Sequence, residues 1–309
     1  MRLVSIPSNP VPEGAVTGAV KTSDGVLLRY ARWDCGPRCK GTVCVLQGRA
    51  EYVEKYFEIV RELRSRGFAV VIFDWRGQGA SGRALADPRK GYVQSFRQYD
   101  TDLDTVMSEV AAPNHPPPLI GLAHSMGGAV LLRSAANGRR YFDRIVLTAP
   151  MIGLPSVGSS GLARAAFRAM RACGFGAAYV PGGSRTLTDL KPFGGNWRTS
   201  DPERYARNAA IIATEPALAL GSPTIAWTDA ALAAMEEFAG AGYPRRIRER
   251  MLVVTAGRDQ IVSTAASGRF VNRSSAASHL IIAGAKHEVL MEQNQYREQF
   301  WSAFDSFAG

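Results

Sequence analysis

The residue best placed for chemistry in this chain is Ser125. An apolar run from Leu119 to Ala123 reads as a short buried strand. His124 and Ser125 end it, Gly127 and Gly128 follow, and Ala129, Val130, Leu131, Leu132, Ala135 and Ala136 recur with helical spacing up to Asn137-Gly138. A strand, one serine on a sharp turn and then a helix make a nucleophile elbow. The turn pushes the hydroxyl out at the carboxyl edge of a sheet. The helix N-terminus behind it offers free N–H groups and a positive dipole end to a developing oxyanion. The usual spacing is Gly-x-Ser-x-Gly, and here Ala123 takes the first place. It is small enough to let the helix pack closely. The five residues alone are a weak signal, since Gly and Ser are common, and the flanking strand and helix give them weight. The alternative is a buried turn with an inert serine.

A serine hydroxyl at neutral pH needs a base, and the base needs an orienting acid. The chain has four histidines. His115 falls in a Pro-rich segment expected at the surface, and His124 is expected to point away across the turn. His279 opens the last strand, at the opposite edge of the sheet. His287 follows that strand and is selected as the base, against the alternative of a surface-loop histidine. Asp259, in Gly257-Arg-Asp-Gln-Ile-Val262 after the preceding strand, is the candidate acid, and it could equally cap a helix. Asp143, which starts a strand, and Asp229 are poorer placed. The order Ser125, Asp259, His287 is one in which such triads occur along a chain. Backbone N–H groups of Met126 and Arg49 are the expected oxyanion donors, Arg49 lying in the loop after the strand Thr42 to Leu46. Asp74 and Arg76 read as residues that hold their Gly-rich loop together.

These residues must be positioned by strands alternating with helices. Val16–Val20 and Val26–Trp33 read as a hairpin split by Ser23-Asp-Gly25. Thr42–Leu46, Phe68–Phe73, Arg144–Ala149, Met251–Ala256 and Leu280–Ala283 read as further strands, most of them continuously apolar and therefore buried on both faces. Helical spacing fills the gaps: Val53 to Leu63 ending at Gly67, Leu103 to Val110, Ala265 to Val271, and Tyr296 to Phe307. From Pro150 the alternation lapses into Pro, Gly and Ser and then helical segments, and it resumes near 245. The expectation is an α/β fold with a mostly parallel central sheet and helices on both faces. Residues 1–150 and 245–309 form its core. Residues 151–244 form an inserted helical cap over the carboxyl edge, where open α/β sheets put their sites, and this cap is expected to line the substrate pocket.

As a set, four segments resemble the α/β-hydrolase group of bacterial lysophospholipases and monoacylglycerol lipases. They are Gln47-Gly-Arg-Ala-Glu-Tyr-Val-Glu-Lys-Tyr56, Asp74-Trp-Arg-Gly-Gln-Gly-Ala-Ser-Gly-Arg83, Leu122-Ala-His-Ser-Met-Gly-Gly128 and Gly284-Ala-Lys-His-Glu288. Within the 151–244 segment, Asp201-Pro-Glu-Arg-Tyr-Ala-Arg-Asn208 and Gly221-Ser-Pro-Thr224 with Trp227 extend the likeness, which covers most of residues 40–300. The resemblance implies an α/β-hydrolase fold and ester hydrolysis of a single-chain lipid or related small ester, with Ser125, Asp259 and His287 as the triad. Ala123 and Gln47, where lipase-like enzymes often have Gly and His, are its departures. The expected activity is that of a lysophospholipase, with monoacylglycerol lipase or general carboxylesterase as alternatives and a noncatalytic ligand-binding module as the alternative of another class. No metal or organic cofactor is expected. An epoxide or haloalkane hydrolase would need Asp at 125.

Composition narrows the setting. The net charge is +10, and lysine occurs only at 21, 40, 55, 90, 191 and 286, so most of the basic charge is arginine. That charge suits anionic surfaces and leaves open peripheral contact with an anionic membrane, or it reflects a general arginine bias. Arg164, Arg168 and Arg171 share one arc of a helix and Leu162, Ala163, Ala166, Phe167, Met170 and Cys173 another, as in an interfacial helix or a solvated basic face. No Lys/Arg block is interleaved with aromatics, so no nucleic-acid partner is expected. Met1 to Ala15 carries three prolines and no long apolar run, unlike a signal peptide. A transmembrane helix needs about 18 apolar residues, and no stretch approaches that. Cys35 and Cys39 are expected as free thiols in a reducing cytoplasm, with a loop disulfide between them as the alternative.

Overall fold

The apolar runs without alternation become the interior of one sheet. In the computed structural model, which describes residues 1–155, 161–187 and 190–309, eight strands are found among the described residues. They are β1 (Val16–Lys21), β2 (Leu27–Trp33), β3 (Thr42–Leu46), β4 (Ala69–Phe73), β5 (Leu119–His124), β6 (Arg144–Thr148), β7 (Arg250–Ala256) and β8 (Ala277–Ile282). Their order across the sheet is β1-β2-β4-β3-β5-β6-β7-β8. The β1–β2 hairpin and its pairing with β4 are antiparallel, and every pair from β4 to β8 is parallel. β8 starts at Ala277, three residues before the expected Leu280. Its first residues pair with β7 from Met251 onward, but as an edge strand it is half exposed, so its sequence lacks the apolar signature.

Helices cover both faces, as the alternation implies. They are α1 (Phe57–Ser65), α2 (Arg97–Val106), the single turn α3 (Ala112–Asn114), α4 (Met126–Ala136), α5 (Gly161–Ala172), α6 (Pro202–Thr214), α7 (Ile225–Ala239), α8 (Thr264–Val271) and α9 (Asn294–Ala308). The two-residue period of a strand sorts the core. Val43 and Val45 of β3 join the layer under α1 and α9, with Val60, Leu63, Phe300 and Phe304. Cys44 and Leu46 join the layer under α2, α4 and α7, with Leu103, Val130 and Phe238. Helices α5, α6 and α7 all belong to the connection between β6 and β7, within the 151–244 segment. Among the described residues no helix is long and apolar enough to cross a membrane.

The cysteines differ from expectation. Cys35 and Cys39 are joined in a disulfide rather than standing as free thiols. The Gly36-Pro37-Arg38 turn brings their Cα atoms to 5.4 Å, inside the range a disulfide spans. Cys44 is a buried free thiol and Cys173 an exposed one.

Candidate active site

Ser125 sits between β5 and α4 with φ 49° and ψ −112°, a backbone conformation that a side chain rarely adopts. The surroundings enforce it. Ser125 N–H donates to Thr148 O of β6 at 3.1 Å, and Ser125 O accepts from Met151 N at 3.0 Å. Gly127 lets α4 start this close to β3, because a Cβ there would run into the carbonyl oxygens of Leu46 and Gln47. Ala123 is fully buried within β5, and a small side chain suffices at that position.

The structure brings Asp259 and His287 to this serine from the loops after β7 and β8. His287 Nε2 lies 3.1 Å from Ser125 Oγ, and Nδ1 lies 2.8 Å from Asp259 Oδ2. That geometry places the imidazole proton on Nδ1, donated to the carboxylate, and leaves Nε2 to accept from the hydroxyl. Asp259 divides its oxygens: Oδ1 accepts from the N–H groups of Ile261 at 2.8 Å and Val262 at 2.9 Å. It therefore braces its own turn, while Ser263 caps α8. Burial pushes the Asp259 carboxyl up, but the hydrogen bond and charge of His287 and the two amides outweigh it and hold it below the usual carboxylate range.

The other histidines fall differently. His124, expected to point away, instead lines the same pocket, its ring centroid 4.8 Å from that of His287. β5 runs one residue further than its apolar stretch, and His124 Nδ1 lies 3.1 Å from Thr148 O of the neighbouring strand. Burial lowers its pKa to about 4, so it is neutral in ordinary buffers. His115 is buried rather than exposed, with Nδ1 3.3 Å from Ala111 O. His279 stays on β8, 3.0 Å from Thr255 Oγ1.

Sequence reasoning missed a buried charge cluster beside the serine. Lys55 Nζ is 2.8 Å from both Glu51 and Glu288, and Tyr56 donates its hydroxyl to Glu51 at 2.7 Å. The Glu51–Lys55 spacing of four residues, opposite charges either side of the start of a helical turn, was the available signal. The cluster also sets the loop after β3. Gly48 N–H donates to Glu51 Oε2 at 2.5 Å, Gln78 Nε2 donates to Gly48 O at 2.8 Å, and Ala50 N–H donates to Gln78 Oε1 at 3.2 Å. The N–H groups on either side of Arg49 are thus engaged, while that of Arg49 has no acceptor among the described residues. Met126 N–H heads α4, ahead of the first bond from Ala129 N to Ser125 O, so it has no partner within the helix. Asp74 and Arg76 hold their loop as expected: Asp74 accepts from Arg29, Val53 N and Ala80 N, and Arg76 pairs with Asp102 and Asp24.

Ser125 and His287 open into a cavity of about 310 Å³ with two kinds of wall. Met151, Leu154, Leu232, Met235, Ile261 and Val262 make an apolar wall. Glu51, His124, Arg198 and Glu288 make a polar one, and Arg49 lines the cavity beside Trp227. Met151, Leu154, Arg198, Pro223 and the α7 residues Trp227 to Met235 come from the 151–244 segment. Residues 156–160 and 188–189 of that segment lie outside the described residues. The basic arc of α5 is neither free nor aimed at solvent as a whole. Arg164 pairs with Glu236, and Arg171 with Asp229 at 2.8 Å, both on α7, while Arg168 is exposed.

A mostly parallel sheet with a serine on the elbow after its central strand, and a histidine and an aspartate beyond the last two strands, defines an α/β-hydrolase of the serine type. Residues 37–294 match the family described as serine aminopeptidase, S33 (Hydrolase_4), and the chain belongs to it. Lysophospholipase L2 of Escherichia coli (strain K12) is 34% identical over 283 residues, covering 89% of this chain and 82% of that protein. The monoacylglycerol lipase of Mycolicibacterium smegmatis is 25% identical over 280 residues, covering 88% of this chain and 89% of the other. Among solved structures, a soluble variant of monoglyceride lipase from Saccharomyces cerevisiae superposes with a TM-score of 0.74 at 18% identity, over 95% of this chain and 96% of that one. That likeness bears on the fold. The motif resemblance to lysophospholipases and monoacylglycerol lipases is therefore borne out, and the chain is a carboxylic ester hydrolase.

Proposed function

We propose that the protein cleaves the carboxylic ester of single-chain lipids, lysophospholipids foremost, through an acyl-enzyme on Ser125. The observation that carries this reading is the continuous Asp259–His287–Ser125 hydrogen-bonded chain at the junction of an apolar and a polar wall. Ser125 Oγ attacks the ester carbonyl as His287 Nε2 takes its proton, and Asp259 holds the imidazolium that results. The oxyanion sits against the N–H groups of Met126 and Arg49, and loss of one such donor costs roughly 10²–10³ in rate. His287 then gives the proton to the leaving alcohol and draws one from the water that releases the fatty acid. The acyl chain lies along the apolar wall and the alcohol along the polar one. Residues 151–244 act as a cap on the core of 1–150 and 245–309.

The names of the relatives support the substrate class. The test is a panel of lysophosphatidylcholine, monoacylglycerol and a short-chain ester, given to the wild type and to Ser125→Ala. The expected result is fastest turnover of the lysophospholipid and loss of all three activities in the variant. Preference for the neutral glyceride would make the protein a monoacylglycerol lipase, and preference for the short ester a general carboxylesterase. A Ser125→Ala protein with full activity would overturn the mechanism, and a wild type inert to all three would point to a noncatalytic binding module.

A further inference from the structure

The four most deeply buried arginines among the described residues each face carboxylates. Arg29 faces Glu54 and Asp74, Arg76 faces Asp102 and Asp24, Arg133 faces Asp100 and Glu237, and Arg297 faces Glu58 and Glu62. The two pocket carboxylates are committed as well: Glu51 to Lys55, and Glu288 to Lys55 and Arg198. Arg49 is half-buried with its Nε fully enclosed, and it differs from them. It lines the cavity that holds Ser125, and among the described residues no carboxylate pairs with it. Arg83 also lacks one, but it lies outside this cavity.

The Arg49 guanidinium is nevertheless held in place. Nη2 donates to Gly221 O at 2.8 Å, and the group stacks over the Trp227 ring at 5.2 Å. Trp227 is fixed in turn by its Nε1–H, which donates to Tyr99 OH at 3.1 Å. The Nε of Arg49 is buried without a partner, and burial brings its pKa down to about 10, still charged at neutral pH. A partly desolvated, pre-oriented cation with spare donors and no counter-charge is less favourable alone than with an anion beside it. A planar fork of donors suits a phosphate or a carboxylate.

We infer that the Arg49 side chain is the anion subsite of this pocket: it takes the phosphodiester of a single-chain phospholipid and so selects phosphate-bearing esters over neutral glycerides. This rests on the proposed esterase reading only for its choice of lipid, since the subsite itself follows from the unpaired cation. The phosphodiester joins the leaving alcohol to its headgroup, so it lies on the alcohol side of the ester bond. A neutral monoacylglycerol would bury the guanidinium without satisfying it.

The test is equilibrium binding, on full-length Ser125→Ala protein, of three short-chain ligands below their micellar concentrations: an ether-linked lysophosphatidylcholine, the matching monoalkylglycerol and the matching fatty acid. Arg49→Met and Arg49→Lys are then compared in the same background. The phosphodiester ligand should bind more tightly than the neutral one. The ratio of the two dissociation constants should fall by roughly tenfold or more in Arg49→Met and by less in Arg49→Lys, which keeps the charge but loses the fork. A disturbance of the loop backbone acts on both ligands and cancels in the ratio. An unchanged ratio, no binding of the phosphodiester ligand, or a response confined to the fatty acid would each overturn the assignment. Wild-type hydrolysis of the ester panel is read separately. Failure there with the binding ratio intact defeats the esterase reading and leaves the anion subsite standing.

Discussion

Helices α5 and α6 belong to the same connection between β6 and β7, yet they are attached to the protein in opposite ways. Helix α6 is fastened to the core. Asp201 caps it, accepting from Arg204 N at 2.8 Å, and Ile211 and Ile212 are fully buried beside Tyr52 and Leu218. Glu58 of α1 gathers Arg204, Arg207 and Arg297 at 2.6, 2.7 and 3.2 Å. Helix α5 has no buried residue, and Leu162 is 85% exposed. Two of its arginines pair with α7, and Phe167 packs partly buried against the core. The contrast divides the 151–244 segment into a firmly and a loosely anchored part. The α6 side fixes the polar wall, where Arg198 O accepts from Glu288 N at 2.7 Å, next to His287. The α5 side leans on α7, which carries Trp227, Leu232 and Met235 of the cavity, and is the less firmly anchored of the two.

The largest effect should come from Glu58→Ala, which strips three arginines of their shared counter-charge. Removing one partner of a buried network is costly, and for this partly exposed site a loss of about 2–3 kcal/mol is expected. Urea denaturation would read it, and a change below about 0.5 kcal/mol would break the contrast. The same carboxylate should give the protein an acid limit. Burial raises the pKa of Glu58, but Arg204, Arg297 and Arg207 together bring it down from 4.5 to about 2. A depressed pKa contributes stability that is complete above 4.5 and is lost as pH falls through about 2. Melting temperature followed across that window should decline in the wild type, and this component should vanish in Glu58→Gln.

Asp201→Ala removes the cap of α6 and should cost about 1 kcal/mol. On the other helix, Arg171→Ala breaks a half-exposed pair and should cost under about 1 kcal/mol of global stability. It should raise hydrogen exchange in α5 while leaving α6 unchanged. Equal exchange in both helices would contradict the division. The smallest effect is expected for Leu162→Ala, within about 0.5 kcal/mol, because so exposed a side chain contributes little to the core.

The parts legible in the sequence were those that local pattern determines. Continuous apolar runs announced β3 to β7, and Gly67 and Asn137-Gly138 marked helix ends. The strand–serine–helix pattern put Ser125 at the carboxyl edge, where Asp259 and His287 also end up because each follows a strand. What could not be read depends on partners distant in the chain. Glu288 lies far from Lys55 in sequence, and the acids that meet the α5 arginines sit on α7. The direction of His124 was set by Thr148 across the sheet rather than by its own segment. Cys35 and Cys39 were close enough to pair or to stay apart, and only the path of the loop decided between them. The unpaired state of Arg49 is invisible in a sequence, since it is a statement about which carboxylates point elsewhere.

The central claim is that Ser125 is the nucleophile, with His287 as its base. Mass spectrometry of the protein after exposure to a fluorophosphonate tests it most directly. The account predicts one adduct on the hydroxyl of Ser125 in the wild type, formed far more slowly in His287→Ala. A wild type that stays unmodified, or that carries the adduct on another residue, would contradict it.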